Sequence, residues 1–123
     1  MFEIIVWLLV KHFICDFPLQ SHPWLYSRKG IYGAPGGIAH SFIHGVGTFA
    51  VLSIIPDISA EDALIFSGVD FILHYHIDWG KMKTNKVMGW GPTTSEKFWV
   101  LVGFDQLLHH LTYALIAYMI MSH

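Results

Sequence analysis

The sequence is short of cysteine, of charge and of basic residues. Cys15 is its single cysteine, which excludes an internal disulfide and a zinc cluster built from thiolates. Charged residues make up 13% of the 123 positions, against about 25% in an ordinary soluble domain. The formal balance is −2 with histidine neutral, so there is no basic stripe and nucleic acid is not expected as a partner. There is no Walker-type glycine loop and no serine nucleophile elbow. The N-terminal run MFEIIVWLLVKHFICDF lacks both a basic leader and a small-residue cleavage site, and is read as a retained first helix rather than a signal peptide.

What the chain does have is apolar surface and histidine. Hydrophobic residues reach 54% in a chain too short for more than one domain, and a small domain has a large surface to cover. Too few polar side chains remain to cover it with water on every side, so much of that surface is expected to face lipid. Apolar stretches run over residues 2–17, 36–55, 60–79 and 98–121, each near the ~20 residues that cross a bilayer. Pro18 and Pro23 stop the first, Pro56 and Asp57 mark a turn after the second, and Ser59 with Asp62 forms a helix start before the third. Thr94 or Ser95 can cap the fourth, and Gly45, Gly47 and Gly68 suit close helix packing. The expected fold is an all-α, four-helix transmembrane bundle forming a single integral-membrane domain over residues 1–123.

Loop charge sets an expected orientation. Arg28, Lys29, Lys81, Lys83, Lys86 and Lys97 fall on one side, and Asp57, Glu61 and Asp62 on the other. By the positive-inside rule the basic loops are cytoplasmic and both termini outside.

Each apolar stretch carries a pair of histidine or aspartate residues four apart: His12 and Asp16, His40 and His44, His74 and Asp78, Asp105 and His109. Four-apart residues share a helix face, and such groups in an apolar span are costly unless they face inward and find partners. Counted at 1.5 Å per residue from the basic side, His12 lies about 8 Å in, His40 and His74 about 6 Å, and Asp105 about 10 Å. Antiparallel helices therefore place their polar pairs in one layer, with Asp70 a turn deeper. Imidazole and carboxylate suit a divalent metal, with zinc first and manganese or iron as alternatives. The candidate ligands are His12, Asp16, His40, His44, His74, Asp78, Asp105 and His109, with Asp16 and Asp78 also candidates for the catalytic base. A hydrogen-bonded polar core without metal and a histidine–aspartate proton relay fit the same pairs. His76 points away from His74, and His123 is terminal.

The segments HFICDFPLQ, HSFIHG, LHYHIDWGK and FDQLLHH together resemble a family of small bacterial and phage membrane proteins of unassigned function. In it a His-x-x-x-Asp-x-x-x-Gln helix, here His12, Asp16 and Gln20, is followed by histidine-bearing, His-x-x-x-Asp and Asp-Gln-x-x-His helices. That resemblance implies an integral protein of a bacterial inner membrane. A looser likeness to membrane-bound metal-dependent hydrolases implies cleavage of a phosphate ester on a lipid-linked or membrane-delivered substrate, with Arg28, Lys29 and Lys81 attracting its phosphate. The rival expectations are a proton or metal-ion relay and a phage or host membrane interaction factor, either able to form oligomers.

Overall fold

The chain is all-α in a computed structural model that describes residues 1–122; His123 lies outside the described residues. Five α-helices follow in order among them: α1 (Phe2–Asp16), α2 (Pro23–Tyr26), α3 (Pro35–Ser53), α4 (Ala60–Met88) and α5 (Glu96–Ser122). A 3-10 turn over Pro18–Gln20 separates α1 from α2. Proline explains two of these boundaries. Pro18 lacks the N–H that would continue α1, and Pro35 starts α3 at the position where a missing N–H costs nothing. Ser59 caps α4 by accepting from the Asp62 N–H at 3.0 Å, and Ser95 Oγ accepts from the Lys97 N–H at 3.2 Å at the head of α5.

The expected third span ends at residue 79, but α4 runs on to Met88. Hydropathy drops at Lys81 because the side chains become polar, yet lysine, methionine and threonine impose no break on a helix. The break comes at Gly89, whose φ of 68° is a left-handed conformation that glycine adopts without strain. Of the connector expected over residues 81–96, residues 81–88 are therefore the last two turns of α4. The short α2 and the 3-10 turn were also not expected, because so few residues carry no periodicity.

The helices α1 and α4 each pack against α3 and α5, so the four long helices form a square in which chain direction alternates. Two glycines set its tightest contacts. A Cβ on Gly47 would lie 2.7 Å from the Lys11 stem, and one on Gly36 would collide with the Trp24 carbonyl oxygen, so α2 sits close against the head of α3. Gly45 lies against Ser67 and Phe71 as expected of a packing glycine, but Gly68 faces open space and serves no contact.

Only α5, 27 residues long, is both long and apolar enough among the described residues to cross a membrane by its own composition. On that criterion a four-helix transmembrane bundle is not supported. With 15 residues α1 is short of the ~20 needed, while α3 and α4 carry polar groups that lower their mean hydropathy. Those polar groups face inward. Lys11, His40, His44, Thr48, Asp70, His74, Asp78, Asp105 and His109 are buried, whereas Phe42, Val46, Leu64, Ile72, Leu107 and Leu111 are exposed. This inverts the ordinary distribution, in which lysine and aspartate are almost never inside. An apolar core does exist, at the end where α3 turns into α4: Ile4, Leu8, Leu52, Ala63, Phe66, Tyr113, Ile116 and Ala117.

Candidate metal centre

The other half of the interior is built from the four-apart pairs. Asp16 ends α1, His40 and His44 sit in the first half of α3, His74 and Asp78 lie midway along α4, and Asp105 and His109 occupy the early turns of α5. The centre therefore lies towards the end of the square where the segment 17–34 crosses. That segment contributes Lys29, which is buried and reaches Asp78 Oδ2 at 3.0 Å. It is anchored beyond by the Gly33 N–H donating to the Tyr75 hydroxyl at 2.6 Å and by Tyr32 Oη against His76 Nε2 at 2.9 Å.

Two groups converge closely enough to share an ion: Asp16 with His40, His44 and His74, and His74 with Asp78 and His109. From Asp16 Oδ1 the Nε2 atoms of His44, His40 and His74 stand at 2.8, 3.2 and 3.8 Å. The Nε2 atoms of His40 and His74 are 3.2 Å apart. Asp78 Oδ2 lies 3.2 Å from His74 Nε2 and 3.4 Å from His40 Nε2, and Asp78 Oδ1 lies 3.0 Å from His109 Nε2. A tetrahedral ion with bonds of 2.0–2.1 Å holds its donor atoms about 3.3 Å apart, which these separations bracket. His74 belongs to both groups, and one ring nitrogen has one lone pair. A single ion between Asp16 and Asp78 is therefore a better fit than two independent ones.

His12 and Asp105 sit beside these groups rather than in them. His12 Nε2 is 3.1 Å from Asp16 Oδ2 and 2.8 Å from Gln106 Oε1, and His12 Nδ1 meets the Tyr113 hydroxyl at 2.7 Å. Asp105 receives Lys81 at 3.2 Å and the Gln106 amide at 3.1 Å, with Oδ1 3.4 Å from His109 Nε2. Gln20 turns away from the centre and donates to the Asp16 carbonyl at 2.8 Å, closing the end of α1. Exposed His76 bonds the Ile72 carbonyl and Tyr32, as a residue pointing away from the layer must.

Charge is distributed unevenly among the aspartates. Asp70 holds Lys11 at 2.9 Å, Asp78 holds Lys29 at 3.0 Å and Asp105 holds Lys81 at 3.2 Å. Asp16 has no lysine or arginine in ion-pairing reach among the described residues; its partners are imidazoles. It also ends a helix whose last turn has no basic residue, where the backbone dipole disfavours an anion. Lys29 and Lys81, two of the three residues expected to attract a phosphate, turn inward onto Asp78 and Asp105. Arg28 is the member of that trio that stays exposed.

Lys11, Thr48 and Tyr113 are not among the expected site residues, yet they anchor the layer from below. Lys11 Nζ contacts Asp70, Tyr113 and His44, and Thr48 donates to Asp70. Lys11 has a sequence signal, a charge in the middle of an apolar run, whereas Thr48 and Tyr113 have none.

A family model described as "Protein of unknown function (DUF3307)" matches residues 4–123, and the chain belongs to that family. No curated protein and no solved structure matches the chain.

Proposed function

We propose that this DUF3307 protein is a membrane-embedded metalloprotein that hydrolyses a phosphate ester or similar bond on a membrane-associated substrate. The observation that carries the metal is Asp16: a carboxylate with no lysine or arginine in ion-pairing reach among the described residues, on one oxygen of which three imidazole nitrogens crowd at 2.8–3.8 Å. A carboxylate oxygen has two lone pairs and cannot accept from three rings at once, so at least one of these rings is better understood as turned onto a cation beside it. Nitrogen and oxygen donors near tetrahedral spacing favour zinc, with manganese and iron as alternatives.

The inverted distribution of polar and apolar side chains supports the membrane setting. Lipid accepts the exposed faces of α3, α4 and α5, and the paired interior lets α3 and α4 enter hydrocarbon despite their mean hydropathy. The basic loops would then lie on the cytoplasmic side with both termini outside.

A divalent ion held here supplies Lewis acidity and lowers the pKa of bound water towards ~7. Asp78, held by Lys29 and His109, would act as base or as a further ligand. Exposed Arg28 lies at the same end, within reach of an anionic headgroup. The test is metal-replete protein in mixed micelles with a panel of phospholipids and isoprenoid phosphates. Product should form with the wild type and vanish with chelator and with Asp78→Asn. Turnover that survives both treatments contradicts the hydrolase.

A relay is the second reading, favoured by one observation. A continuous hydrogen-bonded chain runs from Asp70 through Lys11, Tyr113 and His12 to Gln106. Proton flux in liposomes from a metal-loaded protein inert across the substrate panel would support it.

A further inference from the structure

We infer that Lys11 fixes the ring tautomers of His12 and His44, so that both donate to Asp16 and the ion falls to His40 and His74. The assignment of tautomers stands on hydrogen-bond geometry alone; the assignment of ligands rests on the metal reading above.

Lys11 Nζ has three polar side-chain neighbours, Asp70 Oδ2 at 2.9 Å, Tyr113 Oη at 3.2 Å and His44 Nδ1 at 3.2 Å, all closer than the His44 carbonyl oxygen at 3.5 Å. An ammonium group carries three N–H bonds and no lone pair, so it is the donor in all three contacts. His44 Nδ1 is then an acceptor and bears no hydrogen. A neutral imidazole with a bare Nδ1 carries its hydrogen on Nε2. That nitrogen faces Asp16 Oδ1 at 2.8 Å, a good N–H···O⁻ separation.

The second branch runs through Tyr113. Its hydroxyl oxygen receives from Lys11, and among the described residues the acceptor in reach of its own hydrogen is His12 Nδ1 at 2.7 Å, so we assign the hydrogen there. His12 Nδ1 is therefore bare as well, and His12 Nε2–H is shared between Gln106 Oε1 at 2.8 Å and Asp16 Oδ2 at 3.1 Å. One ammonium thus orients two imidazoles onto the two oxygens of one carboxylate. Neither ring has a lone pair left at Nε2, the atom that would have to bind an ion.

His40 and His74 are under no such constraint. Among the described residues the Nδ1 of each is buried without a hydrogen-bond partner, and their Nε2 atoms face each other across 3.2 Å. With hydrogen on Nδ1 both present a lone pair to the space between Asp16 and Asp78. His44 meets the distance criterion for a ligand, and its fixed tautomer removes it from the set. Lys11 is in this account a positioning residue: it touches no ion and decides which rings can.

The test is the long-range ¹H–¹⁵N correlation spectrum of histidine-labelled, metal-free protein in micelles, which reports the tautomer of each ring. The wild type should show Nε2–H at both His12 and His44. Lys11→Met should abolish that preference at both rings, and Tyr113→Phe, a milder change, should do so at His12 alone. An Nδ1–H ring at His12 or His44 in the wild type overturns the inference, whether or not the protein binds metal. So does Tyr113→Phe leaving His12 unchanged, and this arm stands if Lys11→Met does not fold. Zinc titration tests the ligand half. His44→Gln, which keeps an N–H for Asp16, should weaken binding by about 10- to 100-fold while one ion still binds at saturation. His40→Gln and His74→Gln should lose stoichiometric binding. Equal loss in all three variants contradicts the division of the rings. Wild type that binds no zinc but shows both Nε2–H tautomers refutes the metal reading and leaves the lock in place.

Discussion

The two halves of the interior are assembled from the same four helices by different physics. Near the α3–α4 turn, Ile4, Leu8, Leu52, Ala63, Phe66, Ile116 and Ala117 form a packed apolar cluster. From one turn further along, each of these four helices contributes polar groups that are just as buried. The apolar half needs only shape, because its side chains carry no unmet hydrogen bonds. The polar half needs complete pairing, since an ionised group left alone in low dielectric costs several kcal/mol or more. Tyr113 belongs to both: its ring lies in the apolar cluster and its hydroxyl bonds Lys11 and His12. What the contrast teaches is that the polar half carries a pairing cost that packing alone does not require, which is the cost the proposed metal site would account for.

Substitutions can sharpen or break that contrast. Lys11→Met should have the largest effect, about 3–5 kcal/mol of stability, because it strands Asp70 as a buried unpaired charge. Adding Asp70→Leu should recover much of the loss in unfolding measurements in micelles. A double variant as unstable as the sum of both singles would show that the polar half cannot be exchanged for an apolar one. Leu52→Ala, at a side chain with no exposure, should cost about 2–5 kcal/mol through the cavity it leaves, without altering metal content. A loss of metal there would tie the two halves together.

Lys81→Met should cost less, about 1–3 kcal/mol, because the Lys81 side chain is 16% exposed and Gln106 still donates to Asp105. His76→Ala should change stability by about 0.5 kcal/mol or less and leave metal binding untouched, as its ring faces outward. Both are read by the same unfolding and metal-binding measurements.

How much of this is legible in the sequence follows from what leaves a periodic trace. Helical spacing puts His40 beside His44 and His74 beside Asp78, and Pro18 and Pro35 mark where α1 stops and α3 starts. The all-α character follows from those features. The length of α4 does not, because hydropathy measures compatibility with lipid and α4 continues past Lys81 on helix propensity until Gly89. Lys29 is illegible for another reason: a charge in a Gly- and Pro-bearing loop reads as solvated, and only tertiary folding turns it onto Asp78. The subtler failure is Lys11. Beside His12 in an apolar run, it is neither a loop charge nor a ligand, although a lysine there requires an acidic partner from another helix. The polarity of α3 and α4 lowers the very average by which membrane spans are recognised, since an average over all faces cannot tell an inward histidine from an outward one.

The most direct measurement of the central claim is the metal content of the purified protein, wild type against Asp16→Asn, by elemental analysis. Asparagine keeps the shape of the side chain and removes the charge that has no lysine to balance it. The account predicts about one divalent ion per chain in the wild type and a sharp loss in the variant, with helical content unchanged. A wild type free of metal after purification and zinc loading, or an Asp16→Asn protein that binds it equally well, would contradict it.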